Sequence, residues 1–69
     1  KKELLETALD ALPKKYREVL VLKEFLGLSY KEIADVLETT LPSVRIRIYR
    51  AKQKIRELLA PYIDDYQEE

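Results

Sequence analysis

GLSYKEIADVLETTLPSVRIRIYRAKQKIR, residues 27–56, decides how this chain folds. Its second half, LPSVRIRIYRAKQKIR (41–56), carries six basic side chains and no acidic one. Val44, Ile48, Ala51, Ile55 and Leu58 recur at alternating four- and three-residue intervals, the period of one helix face. Phased at about 100° per residue, the opposite face collects Ile46, Tyr49, Arg50 and Gln53. Arg45 and Lys52 flank it on one side, Arg47 and Lys54 on the other. In the first half, Ser29 followed by Glu32 is a capping box, and Leu28 with Ile33 fits a hydrophobic staple. Ile33, Ala34 and Leu37 form a buried face, with Ala34 small enough for a close helix crossing. Glu38-Thr39-Thr40 then reads as a turn, Thr40 as the next N-cap, and Pro42 as a residue tolerated in a first helical turn. A short helix, a turn and a basic helix are the parts of a helix-turn-helix, whose second helix enters the DNA major groove.

Working outward, KELLETALDAL (2–12) places Leu5, Ala8, Leu9 and Leu12 on one helical stripe. Pro13 opens PKKYREVLVLKEFLG (13–27), where Tyr16, Val19, Leu20, Leu22, Lys23 and Leu26 follow a helical phase. Val19–Leu22 are apolar nearly all round, which marks a helix central to the core. Gly27, the only glycine, stands where a left-handed cap would end that helix. Pro61 is expected to end or bend the fourth helix, leaving PYIDDYQEE (61–69) as an acidic, aromatic tail. Tyr62 and Ile63 are expected to pack back on the body, and the last residues to fray. The spacing predicts helices over about 2–12, 14–26, 30–37 and 41–60. The expected fold class is all-α: a single four-helix, bundle-like domain over residues 1–69 that contains a helix-turn-helix.

Composition narrows the function. There is no Cys or His, so disulfides, thiolate or imidazole zinc sites and the usual neutral-pH acid–base residue are absent. No Ser–His or Cys–His pair and no phosphate-binding glycine loop exists, so no enzyme and no cofactor are expected. Hydrophobic residues make up 46% and charged residues 38%, which suits a compact helical domain with a well-solvated surface. No apolar stretch approaches the roughly 20 residues that span a bilayer, so no membrane insertion is expected. No signal peptide is evident, and a cytoplasmic protein is the default reading. The chain lacks Met and begins Lys-Lys, as expected of a fragment of a longer protein.

The formal net charge is zero, but its distribution is uneven. Residues 1–40 carry seven basic and eight acidic groups, residues 41–56 six basic, and residues 57–69 five acidic. A concentrated local patch, not the total, attracts phosphates.

ALDALPKKYREVLVLKEFLGLSYKEIADVLETTLPSVRIRIYRAKQKIREL (8–58) resembles region 4 of bacterial sigma factors, closest to the extracytoplasmic-function group of the sigma-70 family. The most specific parts are Leu12, Pro13 and Arg17, then Gly27–Ala34, then SVRIRIYRAKQKI (43–55), similar to the family's TVKSRLHRARxxL. The resemblance implies a winged-helix-like fold of the sigma region 4 type. It implies recognition of the promoter −35 element while bound to RNA polymerase core. By the same resemblance, Arg45, Ile46, Tyr49 and Arg50 face base edges. Ser43, Arg47 and Lys52 touch phosphates, with Tyr30 and Lys31 near the backbone. It also implies contact with the β-subunit flap of the polymerase and, often, cover by an anti-sigma factor. The chain departs from the family at three positions. Glu38 and Pro42 stand where glycine is usual, and Ile46 replaces a usual serine. An acid near the turn repels phosphate or points to solvent, and Pro42 removes a backbone donor.

Each role has a plainer alternative. Arg bidentate to guanine is the commonest specific pairing, so Arg50 and Arg45 suit base reading, with phosphate contact as the alternative. Ile46 among Arg and Tyr suits thymine methyls. Tyr49 stacks on a sugar or is an ordinary surface residue, and Tyr30 touches phosphate or edges the core. The acidic tail is a solvated end, or it competes with DNA for the basic helix. Two other functions remain open: the output domain of a LuxR-type regulator, and a protein-interaction module whose basic face meets an acidic partner.

Overall fold

The computed structural model describes the backbone of residues 2–67 and the side chains of residues 3–62. Four helices follow one another: α1 (Lys2–Ala11), α2 (Lys14–Leu20), α3 (Tyr30–Val36) and α4 (Leu41–Gln67). A π-helical turn, Val21–Phe25, prolongs α2, and there is no strand among the described residues. α1, α2 and α3 all pack against α4, which forms the longest axis of the molecule at 41 Å.

The core is Leu9, Leu12, Val19, Leu20, Ile33, Ala34, Val44, Ile48 and Ala51, with Tyr16, Leu22, Leu28, Tyr30, Leu37 and Ile55 packed around it. Every helix contributes, and the four most fully buried side chains are Ile33, Ile48, Val19 and Val44. The leucine–proline entry has a clear physical role. Pro13 precedes the first residue of α2, and its carbonyl accepts from the Tyr16 and Arg17 amides at 3.0 and 3.1 Å. The Arg17 guanidinium reaches back 3.4 Å to the Asp10 carbonyl, placing a cation at the free carbonyls that end α1.

The helix-turn-helix is closed by caps at three of its ends. The Ser29 hydroxyl accepts from the Glu32 amide at 3.0 Å, and the Glu32 carboxylate accepts from the Ser29 amide at 2.8 Å, completing the capping box. Thr40 Oγ1 accepts from the Ser43 amide at 3.2 Å and so caps α4. Between them, α3 ends in a Schellman motif: Thr39 donates to the Ala34 carbonyl at 2.9 Å and Glu38 to Asp35 at 3.3 Å. That motif places its central residue in the left-handed region, and Glu38 has φ 55°. The glycine usual to the family at this position would sit there without strain. Gly27 occupies the same region at the end of the π turn, with φ 69°, as its position in the sequence predicts.

Five expectations need correction. The segment 14–26 is not one regular helix, because the Leu26 amide reaches the carbonyl of Val21, five residues back, at 3.1 Å. A π turn holds more residues than an α turn, so the phase slips and Leu26 rotates out of the core to 62% exposure. Leu5 is 39% exposed on α1, where it overlooks an open groove instead of meeting another helix. Leu58 is likewise exposed, lying beyond the last core residue of α4. Pro61 does not end α4, which runs on to Gln67. Proline's fixed φ fits a helix, and its cost is local: one amide donor and a crowded carbonyl. Tyr62 does not pack back on the body but is exposed on that extension. Ile63 and the expected fraying at the very end lie outside the described side chains or residues.

Candidate nucleic-acid interface

Burial of Val44, Ile48 and Ala51 fixes the rotation of α4 about its axis. The face that must then look outward is the one opposite, and it does. Ile46 is 52% and Tyr49 62% exposed, with Arg45, Arg50, Gln53 and Lys54 exposed around them. Gln53 Nε2 donates to the Tyr49 hydroxyl at 3.4 Å, so the ring lies along the helix toward its C-terminal end. An apolar side chain ringed by arginines on an outward helix face has the chemistry to meet base edges and thymine methyls.

The positive charge on this face is unopposed. Among the described residues Lys14 and Glu18, 4.0 Å apart, form the one ion pair, and it lies on α2. Arg45, Arg47, Arg50, Lys52, Lys54 and Arg56 therefore meet no carboxylate of the described residues in an ion pair.

The expected contact residues fall into four groups. Ser43, Ile46, Arg47 and Arg50 line one concavity of about 320 Å³ with Lys15 and Tyr16 of α2. Arg45 and Tyr49 stand on the exposed side of the same helix. Lys52 lies elsewhere: it borders a second groove with Leu5, Leu9, Leu20, Glu24, Phe25, Ile55 and Arg56. Tyr30 and Lys31 open α3. The Tyr30 ring packs against the core, and Lys23 Nζ sits 4.9 Å over its centroid, so Tyr30 edges the core and carries a cation on its outer face. Lys31 is exposed.

Lys15 is the residue that sequence reasoning missed. Only the crossing of α2 over α4 brings it beside Arg47 and Arg50. The signal available in the sequence was the Lys-Lys pair directly after Pro13.

Arg50 and Asp64 lie on one continuous helix, fourteen residues or about 21 Å apart along its axis. Among the described residues no helix is long and apolar enough to cross a membrane, and no group of His, Cys, Asp or Glu is placed to hold a metal.

The model of the family described as Sigma-70, region 4 matches residues 2–55. The chain is 45% identical over 58 residues to the ECF RNA polymerase sigma factor SigE of Mycolicibacterium smegmatis, covering 84% of this chain and 23% of that protein. It is 42% identical over 55 residues to the RNA polymerase sigma-H factor of Pseudomonas aeruginosa, covering 80% and 28%. With the ECF RNA polymerase sigma-E factor of Escherichia coli it shares 34% over 62 residues, covering 90% and 32%. The chain thus spans about a quarter to a third of the curated relatives' length. The family match takes in all of α1, α2 and α3 and the core-packed half of α4, and on that basis this chain belongs to the sigma-70 region 4 family.

Proposed function

We propose that this chain is the promoter −35-recognising part of an extracytoplasmic-function sigma factor, directing RNA polymerase in transcription initiation in the cytoplasm. α4 enters the major groove; Arg45, Ile46, Tyr49 and Arg50 read bases. Ser43, Arg47 and Lys52 hold phosphates, with Lys31 and the hydroxyl end of Tyr30 beside the backbone. The observation that carries this reading is the outward face of α4: two exposed apolar or aromatic side chains set among cations that no described carboxylate pairs.

Contact with RNA polymerase core through the β-subunit flap, and cover by an anti-sigma factor, belong to the same proposal. The apolar groove between α1, the π turn and α4, beside exposed Phe25, supports a protein partner there. The family match favours this reading over a LuxR-type output domain.

Fluorescence anisotropy tests it, using a short labelled duplex with a −35-like AAC motif, a scrambled duplex and a salt series. Tighter binding to the motif, falling steeply with salt, is the expected result. Equal binding to both duplexes would remove base reading from this domain.

A further inference from the structure

Three cations from two helices converge on one open concavity. Lys15 comes from α2, Arg47 and Arg50 from α4, and Ser43, Ile46 and Tyr16 complete the lining. No carboxylate lines it. Like charges gathered in this way repel one another unless a counter-charge is shared among them.

The two neighbouring lysines of α2 make the placement informative. Lys14 turns to Glu18, 4.0 Å away. Lys15, one residue on, does not. Its Nζ lies 5.2 Å over the Tyr16 ring, and both side chains border the concavity. Tyr16 is itself packed against the core, so it is a fixed platform for the Lys15 ammonium. Lysine is a compact point charge without the fork that reads guanine, so this position suits a phosphate rather than a base.

We infer that Lys15 is a DNA phosphate-contacting residue, held by Tyr16, that extends the footprint of α4 onto α2 along its Arg47 flank. This rests on the DNA-binding reading above. It adds an anchor outside the helix-turn-helix, so the strand beside Arg47 is gripped from two helices. Two-helix anchoring restricts how α4 can roll in the groove, because a phosphate held by both fixes the distance of α2 from the duplex. Lys15 carries no sequence information itself; it sets the register from which Arg50 and Ile46 meet base edges.

The test is the slope of log affinity against log salt for the full chain, measured with the AAC duplex and the scrambled duplex. Lys15→Ala is expected to lower that slope by about one unit and to weaken binding to both duplexes alike. Lys15→Arg, which keeps the charge, should restore the slope and rules out a folding defect. Lys14→Ala removes the same charge one residue away, outside the concavity, and should leave the slope unchanged. An unchanged slope in Lys15→Ala, with steep wild-type binding, would overturn the inference and leave the DNA reading standing. An equal loss in Lys14→Ala would also overturn it, reducing Lys15 to a contributor to the general field. Absence of wild-type binding to either duplex at low salt would overturn the DNA-binding reading and this inference with it.

Discussion

Ile46 and Ile48 are the same residue two positions apart on α4, and the fold treats them in opposite ways. Ile48 is 2% exposed at the centre of the core; Ile46 is 52% exposed on the face that looks away from it. Burial explains Ile48 fully. It does not explain Ile46, which stays half exposed among arginines. One helix therefore presents two separable faces, a buried Val44–Ile48–Ala51 face that serves stability and an outward Arg45–Ile46–Tyr49–Arg50 face that we propose serves recognition. Substitutions should separate them. Ile48→Ala removes a fully packed side chain and should cost about 2–5 kcal/mol of stability. A core of this size rarely supplies more than about 3–5 kcal/mol, so thermal denaturation should find much of the variant unfolded. Ile46→Ala should shift stability by no more than about 0.5 kcal/mol in the same melt. Similar losses in both would end the distinction between the faces.

The second break is made on the recognition side. Arg50→Ala should leave the melting temperature unchanged, because its side chain is exposed and makes no ion pair among the described residues. It should cost about 1–3 kcal/mol of binding to the AAC duplex and relax one base preference. Equal losses on the motif and the scrambled duplex would show a phosphate anchor instead. Arg47→Ala, on the flank, should weaken both duplexes alike and lower the salt slope by about one unit.

How much of this was legible beforehand depended on whether the governing signal was local. The capping box at Ser29 and Glu32, the Thr40 cap, the glycine turn at Gly27 and the two faces of α4 all follow from spacings within one or two turns. Each stands in the structure as read. Leu26 and Leu5 were misplaced because their burial depends on events elsewhere: a π turn that shifts the phase, and a groove left open between α1 and α4. No residue in VLKEF marks a π turn by type. The end of α4 was placed too early, at residue 60, for the opposite reason, since a strong local rule gave way to a helix already established over the preceding turns. The Lys-Lys pair after Pro13 was visible, but the placement of Lys15 beside Arg47 and Arg50 was not, because those neighbours come from α4. For the candidate site, the outward basic face of α4 was readable from helical phase. The split of Lys52 away from Arg47, onto a different groove, required the fold.

Glu38 joins the two faces of the comparison, because it sits in the turn that aims α4. At φ 55° a glutamate pays a backbone strain that glycine would not, and its charge lies beside a basic helix. Glu38→Gly should raise stability by about 1 kcal/mol and also strengthen DNA binding at low salt. Glu38→Gln keeps the strained backbone and removes the charge, so it should change affinity alone. Melts and anisotropy on the two variants separate strain from repulsion. A Glu38→Gly variant no more stable than the wild type would mean that the Schellman hydrogen bonds hold the turn without strain.

The smallest expected effect is confined to the stability side. The Ser29 amide, and secondarily its hydroxyl, hold the Glu32 carboxyl below its ordinary value of 4.5. A carboxylate with a depressed folded-state pKa binds fewer protons when folded than when unfolded. Its contribution is therefore complete above pH 4.5 and fades as pH falls through the lower folded value. Glu32→Gln removes that titration while leaving a side-chain oxygen to accept from the Ser29 amide. Between pH 5 and pH 3 the wild type should lose stability more steeply than the variant, and the two acid limbs should converge at the low end. Parallel acid limbs would show that the capping box holds through its hydrogen bonds without help from the charge, leaving the helix start insensitive to pH.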